Sequence, residues 1–265
     1  MGDLEKTCWR WFPELVNVTK AYSDKIALSG INLQVEPGQI YGILGPNGSG
    51  KTTMLKLISS IIKPTSGYIR VLGHDTVTEN NVVKSITGYV PETPALYESM
   101  SIWEYLRFIA SVRKVPTGQY EKRATEFLKA FELDETSSDY IGNLSFGTRQ
   151  KVAIIAALIH DPQVIVLDEA MNGLDPRSSK ILKDLLARIA ERGKIIIFST
   201  HIMEVAQRLC TRLSILYAGR IVDSGTFGEL EKKHSEGNLE DIFLKVTGSE
   251  DLDPTVNSLA ESMRE

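Results

Sequence analysis

Two spacings of apolar residues alternate along this chain. The first is a short, nearly unbroken apolar run, seen in QIYGILG (39–45), ITGYV (86–90), QVIVLD (163–168), KIIIFST (194–200) and RLSILY (212–217). VIVLD and IIIF in particular are continuously apolar where a half-exposed strand would alternate, as expected of parallel strands covered on both faces. Longer stretches with helical spacing lie between these runs, so the pattern predicts an α/β fold with a central sheet and flanking helices.

Three segments depart from that rhythm. Residues 14–38 alternate and turn, which predicts a small antiparallel sheet attached to the core. From GYVPE (88–92) to QVIVLDE (163–169) there is no convincing strand, and SIWE opens that stretch with Ser101 and Glu104 spaced as a capping box. This predicts an inserted helical lobe over 94–162, with the core formed by 14–93 and 163–228. After Gly225 the pattern is helical again: NLEDIFLKV puts Leu239, Ile242, Phe243 and Val246 on one face, with Asn238 as the cap. Residues 229–265 then form a C-terminal extension whose polar end, 249–265, is expected to fray. No internal repeat or low-complexity tract is present.

Composition narrows the function classes. A chain of 265 residues, 42% hydrophobic and 24% charged, reads as a soluble globular protein of one large domain or two lobes. A net charge of −4 disfavours a general binder of phosphate backbones, so no nucleic-acid partner is expected. The two cysteines, Cys8 and Cys210, supply neither a disulfide framework nor a zinc cluster and fit a reducing compartment, with Cys210 read as core packing. No apolar run reaches the ~18 residues of a membrane helix. MGDLEKTCWRWFPE lacks the apolar centre of a signal peptide, and Lys6 breaks the myristoylation pattern. A cytoplasmic location is expected, with any membrane role exerted through a partner.

The strongest chemical signal is GPNGSGKTT, Gly45 to Thr53, which fits G-x-x-x-x-G-K-[ST] between the strand IYGIL and the amphipathic run MLKLISSII. Around bound phosphates, Gly45, Pro46, Asn47, Gly48, Ser49 and Gly50 would form the loop. Gly48 and Gly50 allow its N–H groups to curl inward, Lys51 reaches the β and γ phosphates, Thr52 offers a hydroxyl to Mg²⁺, and Thr53 supplements the contacts. VIVLDEAMNGLDP then places two carboxylates at the end of a buried strand, a costly position without a cation or a reaction. Asp168 is assigned to the Mg²⁺ sphere and Glu169 to the attacking water. Asp175 before Pro176 reads most simply as a helix cap and first-turn proline. His201, ending the strand KIIIFST, is placed to contact a γ-phosphate, although a lone histidine there is more often structural. His74, His160 and His234 have no comparable setting.

One helix start looks short of an anion. In LSFGTRQKV (144–152), Ser145 is a good cap, but Thr148 stands where a capping box needs Glu or Gln, and Arg149 and Lys151 add positive charge. Either water satisfies the free N–H groups, or an anion arrives from outside the segment.

In their order, these motifs resemble the ATP-binding subunit of ABC transporters, over roughly residues 14 to 230. LSFGT occupies the place of that family's LSGGQ signature. The resemblance implies a P-loop NTPase core of RecA-like type, an antiparallel β-subdomain and a helical subdomain. It also implies two subunits sandwiching ATP, so that Ser145, Phe146, Gly147 and Thr148 of one cap the γ-phosphate held by the other, which would supply the missing anion. By the same resemblance Tyr22 stacks on adenine, His201 is the switch histidine and Asp175 is the loop residue communicating across the dimer. Glu92 stands where the family usually has Gln, beside nucleotide and Mg²⁺; a carboxylate ligates but, ionised, donates no hydrogen bond. Phe146 and Thr148 replace Gly and Gln of the usual signature, and Ala170 and Met171 replace Pro and Thr.

The resemblance implies Mg²⁺-dependent ATP hydrolysis driving a separate integral-membrane permease. PETPALYE and the LEDIFLKVTG tail look like the exporter-type branch. Import, a soluble ATPase acting on nucleic acid or ribosomes, and a regulatory ATP binder remain alternatives. Ala95, Leu96, Tyr97 and Met100 are too apolar for an ordinary exposed loop. Either they pack beneath the helix capped by Ser101, or, as the family implies, they border a groove receiving a short helix of the permease.

Overall fold

A computed structural model describes residues 12–248 and 262–263; Cys8, the N-terminal leader reading and nearly all of the polar tail lie outside the described residues. The chain opens with β1 (Glu14–Tyr22) and β2 (Lys25–Gln34), an antiparallel pair, followed by the wholly buried β3 (Ile40–Leu44) and α1 (Lys51–Ile58). Then come β4 (Ser66–Val71), β5 (His74–Asp75), α2 (Asn80–Ile86) and β6 (Thr87–Val90). The helical stretch contains α3 (Ile102–Val112), α4 (Thr117–Ala130) and α5 (Phe146–Leu158). After it come β7 (Val164–Asp168), α6 (Pro176–Glu191), β8 (Ile195–Thr200), α7 (Met203–Leu209), β9 (Arg212–Tyr217) and β10 (Arg220–Gly225). The described helices end with α8 (Phe227–His234) and α9 (Leu239–Thr247).

The five continuous apolar runs become the parallel part of one sheet, in the order β10-β9-β3-β8-β7-β6, with β10 antiparallel at its edge. Every residue of β3, β7 and β8 is buried, which is why their sequences do not alternate. A second sheet, β2-β1-β4-β5, is antiparallel. Its strands β4 and β5, which follow α1, were not anticipated, nor were α2 and β10.

The apolar interior is divided into three. One cluster joins the helical stretch to a face of the parallel sheet, running from Leu106, Phe131 and Ile154 to Ile165, Leu167 and Phe198. The helices therefore share their core with the sheet. At Gly88 in β6 an added Cβ would lie 2.2 Å from Ala157 O, so only glycine permits α5 to approach this closely. A second cluster fills the space between the two sheets around α1, and a third lies under α7, α8 and α9. In α9, Leu239 and Ile242 are buried with Phe243 and Val246 packed beside them, and Asn238 accepts from Asp241 N, as the sequence pattern predicts. Lys233 and His234 of α8 both reach the buried carboxylate of Asp223 in β10, tying the extension to the sheet edge.

Ser101 and Glu104 form the predicted capping box of α3, whose residues Ile102, Tyr105, Leu106 and Ala110 are buried. Cys210 packs its sulfur against Gly42, and burial pushes its thiol up to about 12, consistent with a packing role. Among the described residues no helix is long and apolar enough to cross a membrane.

Candidate functional site

The carboxyl ends of β3, β8 and β7, adjacent in the sheet, bring together three segments far apart in sequence. From β3 comes the phosphate loop. Its Gly48 and Gly50 have φ of +80° and +111°, the left-handed region that glycine enters without strain. A Cβ on Gly50 would sit 2.7 Å from Ala27 O, and one on Gly45 2.3 Å from Leu216 O, so the loop is pressed against β2 and β9. Gly219 N donates to Ser49 O at 3.0 Å, bracing it from a third side. No side chain caps α1 and no acid lies in its first turn, which leaves its free N–H groups to an anion.

Lys51 is 6% exposed and donates to Gly45 O at 2.7 Å and Pro46 O at 3.2 Å. Its Nζ is 3.4 Å from Glu169 Oε1. The buried Ser49 hydroxyl has no partner. Lys51 and Glu169 open on a cavity of about 690 Å³ lined also by Tyr22, Pro46, Asn47, Thr52, Thr53 and Glu92. Tyr22 is half-exposed at its mouth, with Lys20 Nζ 4.9 Å from the ring centroid.

From β7 come the two carboxylates. Asp168 is fully buried and pairs in register with Ser199 of β8, whose hydroxyl donates to Asp168 Oδ1 at 2.7 Å. Its Oδ2 meets only the Tyr89 hydroxyl, at 3.5 Å. Burial, then the charge of Asp168, push the Tyr89 phenol far above its ordinary range. Glu169 follows with φ +49°, a left-handed conformation that costs a non-glycine residue about 1 kcal/mol or more. Its N–H donates to Ser199 Oγ at 3.1 Å. That turn sends its carboxylate away from Asp168, to lie 3.0 Å from His201 Nδ1 through Oε2. Although Lys51 and His201 are within ion-pair reach, neither Glu169 oxygen receives a well-directed hydrogen bond, and the carboxylate is 4% exposed. A buried carboxylate with an ammonium and an imidazole beside it and spare lone pairs is equipped to accept from a water.

The donors suit a magnesium ion in part. No cluster of three or more His, Cys, Asp or Glu that could hold a metal exists among the described residues. Asp168 with its Oδ2, and the Thr52 hydroxyl, would be the few oxygen ligands that Mg²⁺ takes from protein when phosphates and waters complete its shell. Glu92 is exposed on the cavity wall.

Ser145, Phe146, Gly147, Thr148 and Asp175 do not line this cavity. Ser145 caps α5 by accepting from Thr148 N at 3.2 Å, and its Oγ lies 2.8 Å from Thr148 Oγ1, so a hydroxyl pair stands in for the capping box. The positive charge of that end is partly met within the chain: Lys151 pairs with Asp175 at 2.7 Å and Arg149 with Glu98 at 3.4 Å. Asp175 caps α6, with Pro176 as its first-turn proline; the Lys151 ammonium and then Ser178 hold its carboxyl well below the usual carboxylate range.

The opening of α5 is joined to the loop after Glu169. The Phe146 ring, 42% exposed, packs on Gly173, where an added Cβ would lie 2.6 Å from it. At Gly147 a Cβ would lie 2.4 Å from Gly173 O, and the buried Gln150 donates its amide to Ala170 O at 3.1 Å. Sequence reasoning missed Gln150 and Ser199. Each is a polar residue on an otherwise buried helix face or strand, and that mismatch was the available signal.

A parallel sheet with a phosphate loop after β3 and an acid pair ending β7 defines a P-loop nucleoside triphosphatase. The ABC transporter family matches residues 28–172. The ABC transporter ATP-binding protein NatA of Bacillus subtilis is 36% identical over 239 residues, 89% of this chain and 94% of that protein. The Nod factor export ATP-binding protein I of Cupriavidus metallidurans is 31% identical over 251 residues, 94% of this chain and 81% of that protein. A solved ATP-binding subunit of an ABC transporter superposes with a TM-score of 0.85 at 28% identity, covering 89% of this chain and 99% of its own. A dimeric cassette in a post-hydrolysis state with ADP and Pi gives 0.75 at 29% identity, covering 81% and 98%. The chain belongs to the ABC transporter family as an ATP-binding subunit, and it is an ATPase. Such subunits act in pairs with membrane permeases.

Proposed function

We propose that two copies of this chain, or this chain and a similar subunit, close around ATP and drive an integral-membrane permease, in the direction of export. The observation that carries the reading is the convergence of Lys51 and His201 on the Glu169 carboxylate, at 3.4 Å and 3.0 Å, where Lys51 and Glu169 line the cavity. Lys51 binds the β and γ phosphates, Glu169 takes a proton from the attacking water, and His201 orients the γ-phosphate. Tyr22 stacks on the base. Thr52 and Asp168, with Glu92 at the wall, hold Mg²⁺, which when bound neutralises charge on the phosphates. Ser145, Phe146, Gly147 and Thr148 cap the partner's nucleotide, and Asp175 lies at the seam. In this reading 14–93 and 163–228 are the nucleotide-binding core, 94–162 the helical subdomain and 229–265 an extension. The protein sits at the cytoplasmic face of the membrane through its permease. Export rests on relatives such as the Nod factor export protein. The net charge of −4 counts against a nucleic-acid partner.

Pairing is testable by size. With Glu169→Gln, Mg-ATP should convert the protein from monomer to a long-lived dimer in size-exclusion chromatography with light scattering, because ligand that binds only the closed pair shifts the equilibrium toward it. A monomer at micromolar concentration with and without Mg-ATP would sink the sandwich.

The permease docks, we infer, where the 91–100 segment meets α3. Leu96 and Met100 are partly buried against the core, whereas Tyr97 is 57% exposed and stacks edge-on with Tyr105 and Phe108 at 6.2 Å and 5.5 Å. Tyr97→Ser, an exposed-surface change, and Leu96→Ser, at a partly buried side chain remote from the nucleotide cavity, should each leave basal ATPase activity within about twofold, yet abolish co-purification with the permease. Normal assembly of both variants would move the docking site elsewhere; collapse of basal hydrolysis would make these residues core.

A further inference from the structure

The groove bordered by Leu96 encloses about 840 Å³ and is chemically two-sided. Along one side it is apolar, with Leu96, Tyr105, Ile109 and Ala157 among its lining. Lys84, Arg113 and Lys114 also line it, and no Asp or Glu does. Neither Lys84 nor Lys114 has a carboxylate within ion-pair distance among the described residues. Arg113 donates to Lys84 O, and burial lowers its pKa, so a partly desolvated guanidinium is matched only by a carbonyl dipole.

A cap on the last turn of α2 would account for Arg113 alone; it leaves the ammonium groups of Lys84 and Lys114 without a carboxylate. The three cations are satisfied by one kind of visitor, an acceptor bearing negative charge.

We propose that the permease segment entering this groove is a short amphipathic helix carrying a carboxylate, its apolar face laid on Tyr105 and Ile109 and its acid placed against Lys84, Arg113 and Lys114. The proposal rests on the docking reading above and adds the chemistry of the occupant. Apolar contact supplies the attachment, and the charge sets register and partner choice, since a helix presenting a neutral or basic residue there would leave the three cations unpaired. An anionic lipid surface offers the same charge. A recessed cavity of about 840 Å³ suits a protruding side chain better than a flat array of headgroups.

The test uses the complex formed by co-expressing the full chain with its membrane permease. A zero-length carbodiimide joins amines to carboxylates only in direct contact, so mass spectrometry should find Lys84 or Lys114 joined to an Asp or Glu of one cytoplasmic segment. The double variant Lys84→Glu, Lys114→Glu should recover at least about tenfold less permease, with basal ATPase activity unchanged as the control for folding. Replacing the joined acid by Lys should restore recovery. Normal assembly of the double variant with no such crosslink, while Tyr97→Ser still blocks assembly, would overturn the charge proposal and keep the docking site. Normal assembly of both sets would discard both. If the double variant instead loses flotation on phosphatidylglycerol vesicles but assembles normally, the cations meet lipid and the proposal is wrong.

Discussion

Glu169→Gln should lower steady-state ATP hydrolysis by roughly 10²- to 10⁴-fold, the range that loss of a positioned general base produces. The substitution keeps the shape of the side chain and removes its ability to take a proton. Because Glu169 Oε1 lies 3.4 Å from Lys51 Nζ, the variant also frees the lysine for phosphate, so ATP affinity should hold or rise. Phosphate release and titration with a fluorescent ATP analogue separate the two effects. Turnover at the wild-type rate would remove Glu169 from the chemistry.

Lys51→Ala should fail differently. It deletes the charge nearest the phosphates, worth about 1.5–3 kcal/mol as a charge-assisted bond, so ATP binding weakens by one to two orders of magnitude along with turnover. It also strands Glu169. Both partners are about 95% buried, and breaking such a pair costs about 3 kcal/mol. Lys51→Ala combined with Glu169→Gln should therefore be more stable than Lys51→Ala alone in urea unfolding followed by tryptophan fluorescence. Equal midpoints for the two variants would mean that the buried pair contributes nothing to the resting fold.

Much of this fold is legible in the sequence because burial on both faces leaves a continuous apolar run, as in β7 and β8, and because a phosphate loop has a fixed spacing. The elements that stay hidden lack a periodic signal. In β4 the pattern SGYIRV buries only Ile69 and Val71, β5 is two residues long, and α2 has seven residues and no side-chain cap. β10 carries a buried Asp223 whose partners are ten and eleven residues away in α8. At the site, residue identities could be read, but contacts could not. That Asp168 meets Ser199 follows from the β7–β8 register, and that Glu169 faces His201 follows from one left-handed residue. Neither is encoded locally. The helix start at Ser145 shows the same limit, because Asp175, which answers the Lys151 charge, lies in a loop beyond the next strand.

The junction between α5 and the loop after Glu169 has a mechanical consequence. Phe146, Gly147, Gln150 and Lys151 lie on adjacent turns of one helix face, and each touches a residue between Ala170 and Asp175. A loop fastened at four points cannot flex independently, so a small tilt of the helix tip arrives, undamped, one residue from the strained backbone of Glu169. The helix behaves as a stiff lever whose short arm ends at the Glu169 carboxylate. Amide hydrogens of 170–175 should consequently exchange in step with those of the first turns of α5, and no faster, despite lying in a segment with no regular secondary structure.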